Sequence, residues 1–197
     1  MKFIRSTGSV LLLAFTAVAL PMAAAAQTST WKIDPVHSGV NFEIKHLAVA
    51  NVRGSFTHPT GVIHLDENDI THSSVEATIE TSTVNTNETK RDEHLKSPAF
   101  FDVQKFPTMT FKSTSFSKSS GKLQMTGDLM LNGVTKPVTL DVDGPAAPQK
   151  GMQGGIVSGF SASGMLHRSD FNFGSKYGPP MLSDAVKFTI DIEMDKQ

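Results

Sequence analysis

Residues 40–46 read VNFEIKH, in which Val40, Phe42 and Ile44 alternate with Asn41, Glu43 and Lys45. A period of two puts one set of side chains on a dry face and the other on a wet face, as in a half-buried β-strand. The pattern recurs along the chain. Val75, Ala77 and Ile79 alternate with Glu76, Thr78 and Glu80, and Met109 and Phe111 share one parity. So do Leu123, Met125, Gly127, Leu129 and Leu131, then Val138, Leu140 and Val142, and finally Val186, Phe188, Ile190, Ile192 and Met194. Turn signals separate the runs at Ser120-Gly121, Asn132-Gly133, Asp143-Gly144-Pro145 and Gly178-Pro179-Pro180. Closely spaced strands with short turns imply an antiparallel meander. About eight such strands leave exposed edges, and closure into a barrel removes them. The expected fold is all-β, an extended antiparallel eight-stranded barrel with one short helix; a sandwich is the alternative that periodicity leaves open. A barrel of this size either fills with side chains or encloses one small ligand.

Residues 85–97, NTNETKRDEHLKS, break the alternation and are rich in helix formers. The expected helix runs from Glu88 to Lys96, with an Asn or Thr side chain capping its start and Pro98 ending it. Residues 144–155 read as a hairpin loop.

The N-terminus has a different character. Lys2 and Arg5 precede an apolar run from Val10 to Leu20, then Pro21 and a string of small residues. This order is that of a secretory signal, with Ala24 and Ala26 at the −3 and −1 positions of a cleavage before Gln27. The run is shorter than the roughly 20 residues a spanning helix needs. Residues 1–26 are therefore expected to be a signal peptide, and 27–197 one domain exported to a bacterial periplasm. Cysteine is absent, and an apolar core can hold a domain of this size without disulfides. The net charge is −1, more negative without Lys2 and Arg5, and no basic block is present, which argues against nucleic acid as a partner.

Seven histidines raise a metal site, but none falls in an H-E-x-x-H or H-x-H arrangement, so neither metal nor cofactor is expected. His58, His64 and His72 read as solvated surface. No G-x-S-x-G and no phosphate loop occurs. The small residues of Ser158–Gly164 make room for a ligand or a tight bend. Three polar clusters remain, IDPVHS (33–38), RDEHL (91–95) and HRSDF (167–171). Side chains of the last two can form a network holding the helix on the barrel, with Arg168 paired to Asp92 or Asp170; catalysis and the binding of an anionic head group are the competing roles. Thirteen Phe against one Tyr and one Trp, with Met spread along the chain, suit a long featureless apolar ligand as well as an ordinary core.

Taken in order, WKIDPVHSGVNFEIKHL (31–47), RGSF (53–56), RDEHLKSPAFFDVQKFPTMTF (91–111), GDLMLNGVTKPVTLDV (127–142) and HRSDFNFG (167–174) resemble the YceI-like family of lipocalin-like, polyisoprenoid-binding periplasmic proteins. The chain departs from the family's habit after RSDF, where Asn172 and Phe173 precede Gly174. The resemblance implies a lipocalin-like barrel with an elongated apolar tunnel, a long isoprenoid ligand such as a prenyl diphosphate or prenylquinone, and homodimers; it implies no metal or catalytic residue. The tunnel lining then falls to Phe42, Ile44, Phe56, Ile79, Phe101, Phe106, Met109, Phe111, Met125, Leu129, Phe160, Met165 and Phe188. Arg91, Asp92, His94, Arg168 and Asp170 are expected at a polar rim, above Phe100 and Phe101. The alternatives are an enzyme acting on a lipid or quinone through His94 or His167 as general base, and a protein presenting a quinone to a membrane redox partner.

Overall fold

The computed structural model describes residues 28–152 and 154–197. The expected signal segment, residues 1–26, lies outside the described residues. Eleven strands and one α-helix are found among the described residues. They are β1 (Thr28–Ile33), β2 (Gly39–His46), β3 (Ala50–Thr57), β4 (Thr60–Asp66), β5 (Ser74–Glu80), α1 (Thr89–Lys96), β6 (Thr108–Ser119), β7 (Lys122–Leu131), β8 (Val134–Asp143), β9 (Gln149–Lys150), β10 (Ile156–His167) and β11 (Leu182–Lys196).

Eight of the strands close an antiparallel ring in the order β1-β4-β5-β6-β7-β8-β10-β11, and β11 returns to β1. The barrel removes the free edges that the meander would otherwise expose. One edge of β11 pairs with β10 from Val157 to His167. The other edge carries two strands in succession, β2 along Leu182–Asp191 and β1 at Met194–Lys196. The chain leaves β11 between them, in the polar stretch around Asp34–Ser38. Ser38 Oγ there accepts from Glu193 N–H at 3.0 Å and donates to the Glu193 carbonyl at 3.2 Å. The β2–β3 hairpin thus extends the wall past the ring at one end. Ser55 and Asn85 exchange both backbone hydrogen bonds, 2.8 and 2.9 Å, and join the hairpin to the segment after β5.

Inward faces follow the sequence periodicity because successive side chains on a strand alternate sides. A bulge in β6 between Ser113 and Ser115 shifts that parity, so Met109 and Phe111 face inward on one side of it and Phe116 packs against the core on the other. The helix starts one residue later than expected. Its cap is Glu88, whose own carboxylate accepts from Lys90 N–H, in place of an Asn or Thr.

Three hairpin turns place two successive residues at positive φ, as a type I′ turn requires. Two use Ser120-Gly121 and Asn132-Gly133, but the β2–β3 turn uses Leu47 and Ala48, at 51° and 57°. A side-chain-bearing residue in that region costs about 1–2 kcal/mol.

The end of the barrel away from α1 is closed by Trp31, 1 % exposed, with Met194 and Ile63. The indole N–H donates to Ser29 Oγ at 2.8 Å, so the buried ring leaves no polar atom unpaired. Trp31→Ala is expected to lower unfolding stability by about 3–5 kcal/mol through the cavity it leaves; urea denaturation followed by circular dichroism measures it.

Candidate functional site

Inside the ring lies a cavity of about 440 Å³, within the roughly 300–1,000 Å³ range of small-molecule pockets. Its wall is almost wholly apolar and draws on every strand of the ring except β4, with β2 and β3 added. Glycines shape it. Phe42 pairs across the strands with Gly54 and Phe188 with Gly164. A Cβ on Gly54 would lie 2.4 Å from Phe42 Cζ, and one on Gly164 2.6 Å from Phe188 Cζ. Each ring lies across its glycine along the wall, which leaves the lumen open. Gly127 takes the Phe111 ring in the same way, at 2.4 Å.

Eleven of the thirteen expected lining residues border this cavity: Phe42, Ile44, Phe56, Ile79, Phe101, Met109, Phe111, Met125, Leu129, Phe160 and Phe188. Two do not. Met165 pairs with Lys187 on the outer face and is 54 % exposed. The β10–β11 register runs without a shift, so Phe160, Ala162, Gly164 and Leu166 face inward and odd-numbered Met165 cannot. Phe106 packs outside, over Gly133 at the β7–β8 turn and under Lys105 Nζ, 5.0 Å from its ring centroid.

The polar side chains of the wall gather at the α1 end: His46, Thr86, Arg91, His94, Arg168 and Tyr177. Thr86 is buried and acts as a hub. Its N–H donates to Asp92 Oδ1 at 2.8 Å, Arg91 Nε donates to its hydroxyl at 2.7 Å and Arg91 Nη2 to its carbonyl at 2.8 Å. Asp92 therefore ties the helix to residue 86 and does not border the cavity. His94 Nε2 lies 3.2 Å from Tyr177 Oη. Beneath them the aromatic rings form a continuous series from wall to mouth. Phe42 meets Phe56, Phe56 meets Phe101, Phe101 meets Phe173 at 4.6 Å, and Phe173 meets Phe100, which stacks on Tyr177 at 5.1 Å.

Arg168 does not pair with Asp92 or Asp170. It is 4 % exposed, and its five N–H donors all reach main-chain carbonyls. Nε donates to Ser183 at 2.8 Å, Nη1 to Phe173 and Gly174 at 2.8 and 3.1 Å, and Nη2 to Tyr177 and Leu182 at 2.8 and 3.3 Å. The guanidinium thus pins the 173–183 segment that walls the mouth. Asp170 points to solvent from the same 3-10 turn, Arg168–Phe171. Asn172 closes that turn at φ 53°, supplying the left-handed conformation ahead of Gly174. Burial pushes the Arg168 pKa below its ordinary value, against the opposing charge of Asp184. Burial acts to raise the Asp184 pKa, but hydrogen bonds from the Ser169 N–H and hydroxyl and from His167 hold it below the usual carboxylate value. His167 lies outside the cavity, its Nδ1 3.1 Å from Asp184 Oδ2.

Asp34, His37 and Glu193 form a group whose ligand-type atoms all lie within 4.8 Å of one another. It sits at the strand break rather than at the cavity. Asp34 Oδ1 accepts from Val36 N–H, and Oδ2 lies 2.7 Å from His37 Nδ1. The bond to Asp34 raises the His37 pKa and lowers that of Asp34.

A closed antiparallel barrel around an apolar cavity, polar at one end, defines a small-ligand-binding barrel of the lipocalin-like type. The family description YceI-like domain matches residues 31–194, and the chain belongs to that family. Protein YceI of Salmonella newport is 39% identical over 191 residues, covering 92% of this chain and 95% of that protein. The crystal structure of the Campylobacter jejuni YceI protein has a TM-score of 0.69 at 35% identity, covering 78% of this chain and 90% of that one. A polyisoprenoid binding domain from Saccharophagus degradans, implicated in plant cell wall breakdown, shares the fold at 12% identity with a TM-score of 0.61, covering 85% of this chain and 98% of that one.

Arg168→Met is expected to leave several carbonyls of the mouth unpaired and to destabilise the protein by on the order of 3 kcal/mol. Amide exchange should quicken first in residues 173–183. His37 should titrate above its ordinary value of about 6.5, and Asp34→Asn should lower it toward that value, with Glu193 still acting to raise it. Because its folded pKa is raised, its stabilising effect is full below the ordinary value and is lost as pH rises through the raised one. Proton NMR of the imidazole checks both.

Proposed function

We propose that the protein is a binding protein of the periplasm, exported behind residues 1–26, that carries or holds a long isoprenoid lipid in its cavity and releases it unchanged. The ligand class is a prenyl diphosphate or a prenylquinone. The observation that carries this reading is the separation of chemistry within the cavity. A long apolar bore runs from the Trp31 end to the aromatic series, and the polar side chains stand only at the α1 mouth. An isoprenoid has the same division, one long apolar tail and one polar end.

The energetics suit such a ligand. Each buried methylene contributes about 0.8 kcal/mol, so several five-carbon units can be held without directional bonds. An apolar cavity of this kind gives water no partners and favours an apolar occupant. The polyisoprenoid-binding description of the Saccharophagus domain agrees with this reading.

Native mass spectrometry of the purified protein, followed by organic extraction, tests it. One prenyl lipid per chain, recovered with unaltered mass after incubation, is the expected result; a protein that takes up no added prenylquinone refutes the proposal. Gly164→Ala forces the far end of the Phe188 ring into the lumen. It is expected to reduce the bound tail length or occupancy severalfold with little change in fold, read by the same extraction and by circular dichroism.

A further inference from the structure

The mouth of the cavity carries an apolar tip that no packing among the described residues uses. Lys45 to Asn51 are seven consecutive exposed residues, with Leu47 53 % and Val49 81 % exposed. Met181 stands beside them, 47 % exposed, and its carbonyl accepts from Leu47 N–H at 2.9 Å. Met181 also borders the cavity, as do His46 and Val52 on the two strands of the hairpin. The tip is therefore continuous with the opening.

Two further features set the tip apart. The equivalent turns at Ser120-Gly121 and Asn132-Gly133 carry residues suited to positive φ, whereas this turn holds Leu47 and Ala48 in that conformation and presents them to water. A barrel needing only a tight connection would have neither the strain nor the exposed side chains. The charge is also one-sided. Residues 44–52 and 171–183 contain no Asp or Glu, while Lys45, His46 and Lys176 are exposed there. Apolar side chains beside exposed Lys45 and Lys176 match a surface that lies in the headgroup–acyl boundary of an anionic bilayer.

We propose that Leu47, Val49 and Met181 dip into an anionic phospholipid bilayer and seat the cavity mouth on it, so that an apolar tail passes between membrane and barrel without crossing water. This inference rests on the carrier reading. The contact is shallow and reversible: three apolar side chains insert, and the neighbouring lysines make binding salt-sensitive.

Flotation with vesicles of phosphatidylethanolamine and phosphatidylglycerol, and extraction of prenylquinone from such vesicles, test it. The protein should float with these vesicles, and less with phosphatidylcholine alone or in high salt. Leu47→Asp with Val49→Asp should abolish flotation and slow extraction by about tenfold or more, while uptake of the same prenylquinone from detergent micelles stays at the unmodified protein's level. Leu47→Asn with Ala48→Gly, a better turn, should melt no lower than the unmodified protein and still extract more slowly. Failure of the unmodified protein to float with anionic vesicles overturns the proposal. So does a folded Asp double variant that extracts at the unmodified rate. No uptake from micelles by any form refutes the carrier reading instead, and flotation then decides the docking surface alone.

Discussion

The fold turns on β11. Its fifteen residues bond β10 along one edge and, on the other, β2 and then β1. A single partner on that edge would close a uniform ring. Two partners in succession make the barrel different at its ends. Where β1 pairs, the wall is tight and Trp31 and Met194 fill it; where β2 pairs, the chain folds back through β3 and the wall extends beyond the ring. The Asp34–Ser38 stretch makes the changeover and satisfies its own polar groups against Glu193. The IDPVHS cluster of the sequence is therefore accounted for by architecture.

The open end needs polar groups held in place without a core to pack them. The chain solves this with backbone carbonyls. Arg168 gathers five of them, and Arg91 and Asp92 converge on Thr86. A charge-assisted hydrogen bond to a fixed carbonyl gives geometry without needing a carboxylate partner. The cost of burying the Arg168 charge is met by full hydrogen bonding, since an unpaired cation at this depth would be strongly unfavourable. Below this collar the aromatic series carries an apolar surface into the bore, and the glycine–phenylalanine pairs keep that bore from filling. The lumen is a consequence of small residues opposite large ones.

Much of this was legible in the residues. Alternation in Val75–Ile79, Leu123–Leu131 and Val186–Met194 marked the inward faces correctly, because side-chain direction on a strand is a local property. The helix before Pro98 was legible for the same reason. Met165 was misplaced because assigning it with Phe160 mixes two parities on a strand that has no bulge, while β6 does have one; the strand sequences alone do not show which is which. Phe106 was misplaced because Pro107 and the following strand start turn it outward, against Gly133, a residue distant in sequence.

By itself the sequence determined the class of structure: short alternating strands, a chain without cysteine, one charged helix and an apolar inventory too rich in phenylalanine for its few polar motifs. Those follow from periodicity and composition, which act over a few residues. Only the tertiary structure decided that β11 would bond both β1 and β2, that the phenylalanines would lie along the wall opposite glycines, and that Arg168 would bind five carbonyls, three in the 173–177 loop and two at the start of β11, instead of a carboxylate. Those outcomes depend on which segments meet after the ring closes. Carbonyl acceptors are common to every residue and leave no trace in the order of side chains, so nothing in the sequence distinguishes the ones Arg168 finds.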